Sequence, residues 1–94
     1  MEREKIENYL NICRKAGYLI IGGEKLENYS KKLYLVIYDK NSQKNTMKIV
    51  EKFKIKQISV CEMENLGEIL GIENCKIVGI KNKNLSDIIL NLMC

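Results

Sequence analysis

The sequence offers few side chains that could carry out acid–base or nucleophilic chemistry. It contains no histidine, so neither a Ser-His-Asp triad nor a Cys-His pair can be built from it. Glu62, Glu64 and Glu68 are close enough in sequence to form a carboxylate pair. Acids at this spacing are, however, typical of a solvated helix face. We therefore predict that the protein is not an enzyme.

Four cysteines are scattered along the chain without a CxxC pair. They are Cys13, Cys61, Cys75 and Cys94. Structural metal sites use cysteine pairs or mixed cysteine and histidine ligands, so the sequence predicts no metal site, and it carries no cofactor motif. Lone cysteines in apolar segments usually pack as small hydrophobic residues, which is the role we expect for them.

A glycine pair, Gly22-Gly23, lies between a short apolar run and a predicted helix. Free backbone N–H groups at such a turn can face an anion. The pair lacks the surrounding residues of the dinucleotide-binding and P-loop motifs, so no nucleotide site follows from it. The alternative is a strand-to-helix turn that needs a positive φ, which glycine adopts readily.

Composition and charge describe an ordinary globular chain with a mild basic excess. Of 94 residues, 46% are hydrophobic and 30% are charged, and the net charge is +4. Residues 40–56 carry six lysines and a single acid, whereas residues 57–75 carry four glutamates and no basic residue. This asymmetry predicts a basic patch and an acidic patch on the surface. The absence of a long apolar run or an N-terminal apolar segment predicts no membrane partner and a cytoplasmic location.

Helical and strand periods alternate along the chain. Strand candidates are the apolar runs at residues 18–21, 33–38, 57–60 and 76–80. Apolar residues at helical spacing occur over positions 6–13, 47–53, 63–70 and 85–92, and a short helix is expected over 24–30. This order predicts an α/β fold in one domain spanning residues 1–94, with helices on both faces of a mixed sheet of about four strands.

Turn and cap residues separate these predicted elements. Gly17 suits the left-handed position after the first helix, and Gly71 suits the end of the fourth. Residues 39–42 (Asp-Lys-Asn-Ser) offer turn and N-cap chemistry for the third helix, and Asn84 or Ser86 for the last.

The stretch at residues 13–24 (CRKAGYLIIGGE) resembles the bacterial YlxQ/YbxF proteins of the kink-turn-binding ribosomal protein superfamily, which carry an Arg/Lys-Ala-Gly-x-Leu run followed by Gly and acidic residues. The likeness continues in order over nearly the whole chain. Further matching segments are 35–37 (central strand), 42–46 (Ser-x-Asn-Thr helix start with one residue added), 66–71 (Leu-Gly-x-x-x-Gly) and 76–80 (last strand).

The resemblance implies a three-layer α-β-α sandwich that binds RNA kink-turns, which are sharp bends built on tandem sheared G·A pairs. In the superfamily, a Gly-x-Asn-Glu sequence opens the second helix and enters the major groove beside those pairs. A second loop packs apolar side chains against a flipped-out nucleotide. RNA is generally read at such bends, where base edges and faces are exposed.

Two registers map the Gly-x-Asn-Glu motif onto this chain. Without a gap, Gly22 takes the motif glycine, Glu24 the asparagine position and Lys25 the glutamate position. With a one-residue gap, Gly23, Lys25 and Leu26 take these positions.

The resemblance also places the recognition loop and a set of basic contacts. The loop maps to Val60, Cys61, Glu62 and Met63. Basic residues would contact phosphates if they share the face of Gly22; they are Arg14, Lys15, Lys25, Lys31, Lys32 and Lys40.

Three departures from the family pattern bear on this expectation. From Glu24 to Leu35 the chain is shorter by about one helical turn. Tyr18 replaces a family lysine, and Glu62 and Glu64 place negative charge near the loop, which opposes attraction to phosphates. A second hypothesis is therefore a protein-interaction module that kept the fold and lost the RNA site. Its acidic surface around residues 62–73 would face a basic partner such as a ribosomal or transcription–translation factor.

Overall fold

Helices and strands alternate along the chain, which the computed structural model describes over residues 2–93. The helices are α1 (Glu2–Lys15), α2 (Gly23–Glu27), α3 (Lys44–Ile55), α4 (Leu66–Leu70) and α5 (Lys83–Met93). The strands are β1 (Leu19–Ile21), β2 (Leu35–Asp39), β3 (Ser59–Met63) and β4 (Ile77–Ile80). Each segment predicted from its hydrophobic period overlaps the corresponding element, with boundaries shifted by a few residues.

The strands form one mixed sheet in the order β1-β4-β2-β3. β2 and β3 are parallel and are connected by α3, because a parallel pair needs a crossover connection. β4 lies between β1 and β2 and is antiparallel to both. The predicted α/β class with a small mixed sheet is confirmed.

Helices cover both faces of this sheet. On one face, α1, α4 and α5 bury residues such as Leu10, Leu66 and Ile89. On the other face, α2 and α3 bury residues such as Leu26 and Val50. The architecture is a three-layer α-β-α sandwich, as expected.

The central strand β2 is apolar on both sides because it lies between these two cores. Leu35 and Ile37 pack into the core beneath α1, α4 and α5. Val36 packs into the core beneath α2 and α3. All three side chains are fully buried, which explains why the sequence shows a continuous apolar run here instead of alternation.

The helix ends confirm the glycine predictions and correct the cap predictions. Gly17 and Gly71 both have positive φ, at 79° and 68°. The N-cap of α3 is Gln43, which makes no side-chain cap hydrogen bond, so the cap predicted from residues 39–42 is wrong. The turn predicted there is confirmed, because Asp39 Oδ1 accepts from Asn41 N. At α5, Asn82 Oδ1 accepts from Leu85 N at 2.9 Å, so the capping residue is neither Asn84 nor Ser86. Within residues 2–93, no helix has the length and apolar character needed to cross a membrane.

Candidate nucleic-acid interface

The carboxyl ends of β1, β2 and β3 meet the start of β4 at one edge of the sheet. Backbone hydrogen bonds fasten these ends together: Gly22 N donates to Ile77 O (3.0 Å), Asp39 N to Lys76 O (2.8 Å) and Lys40 N to Met63 O (2.9 Å). We call this surface the upper edge and define it as residues 22–25, 39–42, 64–66 and 76. The sheet topology therefore brings the predicted Gly22 turn and Lys40 to the same side of the molecule.

Gly22 makes the strand-to-helix turn at this edge. Its φ of 100° and ψ of 144° lie in a region that residues with a Cβ rarely occupy. A Cβ added to Gly22 would meet nothing within 4 Å, so the requirement for glycine comes from the backbone and not from crowding. The sequence interpretation of a turn needing positive φ is confirmed.

The next three residues begin α2. Gly23 is the first helical residue, and a Cβ there would lie 2.6 Å from Ile49 Cδ1 of α3. Glu24 and Lys25 are exposed. Gly22 provides no side-chain cap, so the N–H groups of the first turn are not covered by a capping side chain. The upper edge thus presents bare backbone flanked by one acidic and one basic side chain.

Asp39 organises the middle of the upper edge, where the sequence predicted turn chemistry for residues 39–42 but no contact with α4. Its carboxylate is buried, with 2% of the residue exposed. Oδ1 accepts from Asn41 N at 2.7 Å, and Oδ2 accepts from Leu66 N at 3.0 Å. One side chain therefore holds both the turn after β2 and the start of α4. A clue was available, since an acid at the end of a fully apolar strand often bonds to backbone N–H groups nearby.

The predicted recognition loop at Val60, Cys61, Glu62 and Met63 is wrong, because these residues belong to strand β3. Cys61 and Met63 are buried in the core, and Val60 packs half-buried against the opposite core. The connection to α4 consists of Glu64 and Asn65, and Asn65 has a left-handed backbone with φ 56°. Val60, Cys61 and Met63 therefore cannot offer apolar side chains to a flipped-out base without disrupting the strand.

Opposite charges meet at the upper edge. Lys40 Nζ lies 3.3 Å from Glu64 Oε1, and both side chains are more than half exposed. Lys76 Nζ lies 3.9 Å from Asp39 Oδ2. An exposed pair such as Lys40 and Glu64 contributes at most about 1 kcal/mol and exchanges readily with other partners. Lys40 is consequently available to a phosphate, at the cost of releasing Glu64.

The structure does not bring Lys31 and Lys32 to the upper edge. They precede β2, and Tyr34 N, two residues after Lys32, donates to Ile80 O at 3.0 Å. Ile80 is the last residue of β4, whereas Gly22 pairs with Ile77, the first. Lys31 and Lys32 therefore lie at the opposite end of the sheet from Gly22, because β1 and β2 run in the same direction and the segment between them returns to the end where both strands begin.

Arg14 and Lys15 end α1. Arg14 Nη1 donates to Leu70 O at 2.6 Å, which satisfies a carbonyl at the end of α4. Lys15 is exposed and precedes the start of β1, at the end of that strand away from Gly22. Arg14 thus has a structural role, and of the six predicted basic contacts Lys25 and Lys40 are the ones at the upper edge.

The cysteines that the structure describes are buried, as expected for core residues: Cys13, Cys61 and Cys75. Cys94 lies outside the described residues. Burial raises the pKa of the Cys13 and Cys75 thiols, so both stay protonated at neutral pH.

The three glutamates that are close in sequence, Glu62, Glu64 and Glu68, do not share one helix face. Glu62 lies on β3, Glu64 in the loop and Glu68 on α4. Within residues 2–93 no cluster of three or more acidic, cysteine or histidine side chains is arranged to hold a metal ion.

Comparison with known proteins identifies a structural neighbour and no named relative. A protein of unknown function from Bacillus halodurans C has the same fold, with a TM-score of 0.81 and 24% sequence identity, over 95% of this chain and 96% of that chain. No family model matches the sequence, and no curated protein matches it. At this identity, the likeness establishes the shared fold alone.

Proposed function

We propose that the protein binds RNA at the upper edge of its sheet, and that its target is a kink-turn or a closely related bent RNA. The observation that carries this proposal is the convergence of Gly22, Glu24, Lys25 and Lys40 at one edge, although 15 positions separate Lys25 from Lys40 in the sequence. The resemblance to the YlxQ/YbxF proteins implies RNA recognition through the same turn.

The chemistry of this edge suits close approach of an RNA groove. At Gly22 there is no side chain, so a base edge or sugar can reach the backbone that a Cβ would shield. Glu24 accepts hydrogen bonds from exposed base amino groups, as an acid does at cytosine or guanine edges. Lys25 and Lys40 contact the flanking phosphates.

We expect this chain to bind RNA more weakly than a protein of the same fold whose second helix is longer. α2 spans only Gly23–Glu27, so it offers little more than one turn to the groove. Glu64 must also release Lys40 before that lysine can contact a phosphate. We expect discrimination to come mainly from the backbone at Gly22 and from Glu24, with affinity in the micromolar range or somewhat tighter.

A titration with two RNAs tests the proposal. A fluorescent kink-turn duplex should bind at least tenfold tighter than a duplex in which Watson–Crick pairs replace the G·A pairs. Gly22→Val should remove this preference, because valine cannot hold φ 100° without strain and shields the backbone.

Gly17→Val is the matched control for Gly22→Val. Gly17 also has a positive φ, of 79°, and open space around its missing Cβ, but it precedes the other end of β1. It should also be strained by its positive φ and leave the preference for the kink-turn intact, once circular dichroism shows that both variants are folded. Equal loss of preference in both variants, or normal kink-turn binding by Gly22→Val, would refute the proposed site.

The second candidate function is a protein-interaction module, and the exposed acids of the β3–α4 region favour it. Glu62, Glu64, Glu68 and Glu73 are all exposed. Their shared negative potential would attract a partner with a basic face. Binding that is weak, equal for both RNAs and abolished by salt would support this candidate in place of the first. A labelled oligoarginine peptide should then bind, and Glu68→Gln with Glu73→Gln should weaken it.

A further inference from the structure

A groove at the opposite end of the sheet from Gly22 combines lysines with tyrosine rings. We call it the lower groove; it is open, measures about 740 Å³, and is lined by residues 29–34, 53 and 56–59. It lies where β2 and β3 begin, because Tyr34 precedes β2 and Ser59 starts β3. No local sequence pattern predicts this groove, because its two halves, residues 29–34 and 53–59, are separated by β2 and most of α3.

All the charged side chains that line the lower groove are positive. Lys31, Lys32 and Lys56 contribute to its wall, and none of the described residues that line it is acidic. Lys81, which follows β4, adds a further ammonium group beside Tyr29. The upper edge differs in this respect, because Lys40 there faces Glu64.

Each aromatic ring at the groove has a lysine above it. Lys32 Nζ lies 5.2 Å from the centre of the Tyr34 ring, and Lys81 Nζ lies 5.9 Å from that of Tyr29. Both tyrosines are half-buried, so each ring is anchored in the protein while one part of it faces solvent. A flat ligand that displaces the lysine can therefore contact the part of the ring that faces solvent.

We propose that the lower groove binds an unpaired stretch of nucleic acid, with a base stacked on Tyr34 and phosphates on Lys31, Lys32 and Lys56. An exposed lysine–ring contact is weaker than stacking of a base on the same ring. A base can therefore replace Lys32 above Tyr34, and the freed ammonium group then contacts a neighbouring phosphate. Aromatic platforms beside a basic groove are the usual means of binding single strands without sequence preference.

This site goes beyond the proposed kink-turn function and does not depend on it. The two regions lie at opposite ends of β2, whose five residues span about 13 Å. A variant at one end should therefore leave the other end unchanged. Failure of kink-turn binding and failure of the lower groove can consequently be observed separately.

The test is an anisotropy titration of a fluorescent uridine octamer, which cannot form a kink-turn. The wild-type chain should bind it, with an affinity that falls as salt rises. Lys31→Ala with Lys32→Ala should weaken binding at least fivefold and reduce the slope of log K against log salt by about 1.4. Lys44→Ala with Lys48→Ala is the matched control, because it removes the same charge from exposed positions on α3. The control variant should lose less than twofold of its affinity for the octamer.

Substitutions at Tyr34 separate stacking from simple charge attraction. Tyr34→Phe keeps the ring and should bind the octamer normally, whereas Tyr34→Leu keeps apolar bulk and should weaken binding at least fivefold. Gly22→Val should leave octamer binding unchanged.

Four results would each overturn the proposal. The first two are that the wild-type chain does not bind the octamer at low salt, or that the two double lysine variants lose the same amount of affinity for it. The others are that Tyr34→Phe and Tyr34→Leu bind the octamer equally well, or that an oligoglutamate peptide of equal charge displaces the octamer at equal concentration.

Discussion

At the scale of single residues, Asp39 connects three parts of the upper edge. It ends β2, accepts from Asn41 N in the following turn, and accepts from Leu66 N at the start of α4. The backbone carbonyl of Asp39 also accepts from Ser42 Oγ at 2.6 Å. Because the Leu66 N–H group is buried, water cannot replace its hydrogen bond if the carboxylate is removed.

Asp39→Ala should therefore lower the free energy of unfolding by roughly 2–4 kcal/mol, the value expected for two lost hydrogen bonds to a carboxylate, one of which leaves the buried Leu66 N–H group unpaired. Urea denaturation followed by circular dichroism measures this change. Asp87→Ala is the control, because Asp87 is an exposed acid on α5 and its removal should change stability by less than about 0.5 kcal/mol. Similar stabilities for the two variants would show that Asp39 does not hold the edge together.

At the scale of elements, α2 is held against the sheet by a close fit at Gly79. This residue lies in β4, and a Cβ there would be 2.5 Å from Leu26 Cδ2 and 3.2 Å from Leu33 Cδ2. Leu26 is the buried residue of α2 and is only 1% exposed. The absence of a side chain at Gly79 thus allows a helix of barely more than one turn to lie close to the strand.

Gly79→Ala should lower the free energy of unfolding by about 1–3 kcal/mol, because two packed leucines must move to accept one methyl group. Gly23→Ala provides a contrast. Its new methyl group would meet mainly Ile49 Cδ1, the end of a half-buried side chain that can rotate away, so its cost should stay below about 1 kcal/mol. Urea denaturation of both variants measures the two changes in the free energy of unfolding. An equal or larger decrease for Gly23→Ala than for Gly79→Ala would contradict the prediction.

The sequence was informative about which elements form and less so about where they end. The apolar run around Leu35 predicted a strand, which the structure confirms and shows to be buried on both faces. Met63 was predicted to begin the helix that continues through Leu66, because the two residues are at helical spacing, and this prediction is wrong. Pairing of Asp39 with Met63 in the parallel register of β2 and β3 decides in favour of the strand.

The spacing of residue types along the chain could not predict contacts between residues that are far apart in sequence. Asp39 and Leu66 are 27 residues apart, so nothing in the local pattern pairs them. The placement of Lys31 and Lys32 depends on the strand directions, because β1 and β2 are both antiparallel to β4 and therefore begin at the same end of the sheet, away from Gly22. The Gly22 turn was predicted correctly because its requirement is local, namely a backbone conformation that favours glycine.

At the scale of the whole molecule, the two proposed sites lie at opposite ends of a body whose principal extents are 31 × 25 × 24 Å. An RNA bound at the upper edge and a short strand in the lower groove would be separated by roughly the length of β2, about 13 Å. Direct contact between the two ligands is not required. The phosphates of the two ligands repel each other over this distance. The Debye length is about 8 Å at physiological ionic strength, so the repulsion is then largely screened, and about 30 Å at 0.01 M, where it is not.

Saturating the protein with unlabelled kink-turn RNA should therefore weaken binding of a labelled uridine octamer by less than threefold at physiological salt, and more strongly at 0.01 M. Two independent sites joined only by screened repulsion give this salt dependence, whereas a shared site gives full displacement at every salt concentration. The measurement is an octamer titration with and without the kink-turn RNA, with the Watson–Crick duplex as control. Complete displacement at physiological salt would mean that both RNAs occupy one surface and that the division into an upper edge and a lower groove is wrong.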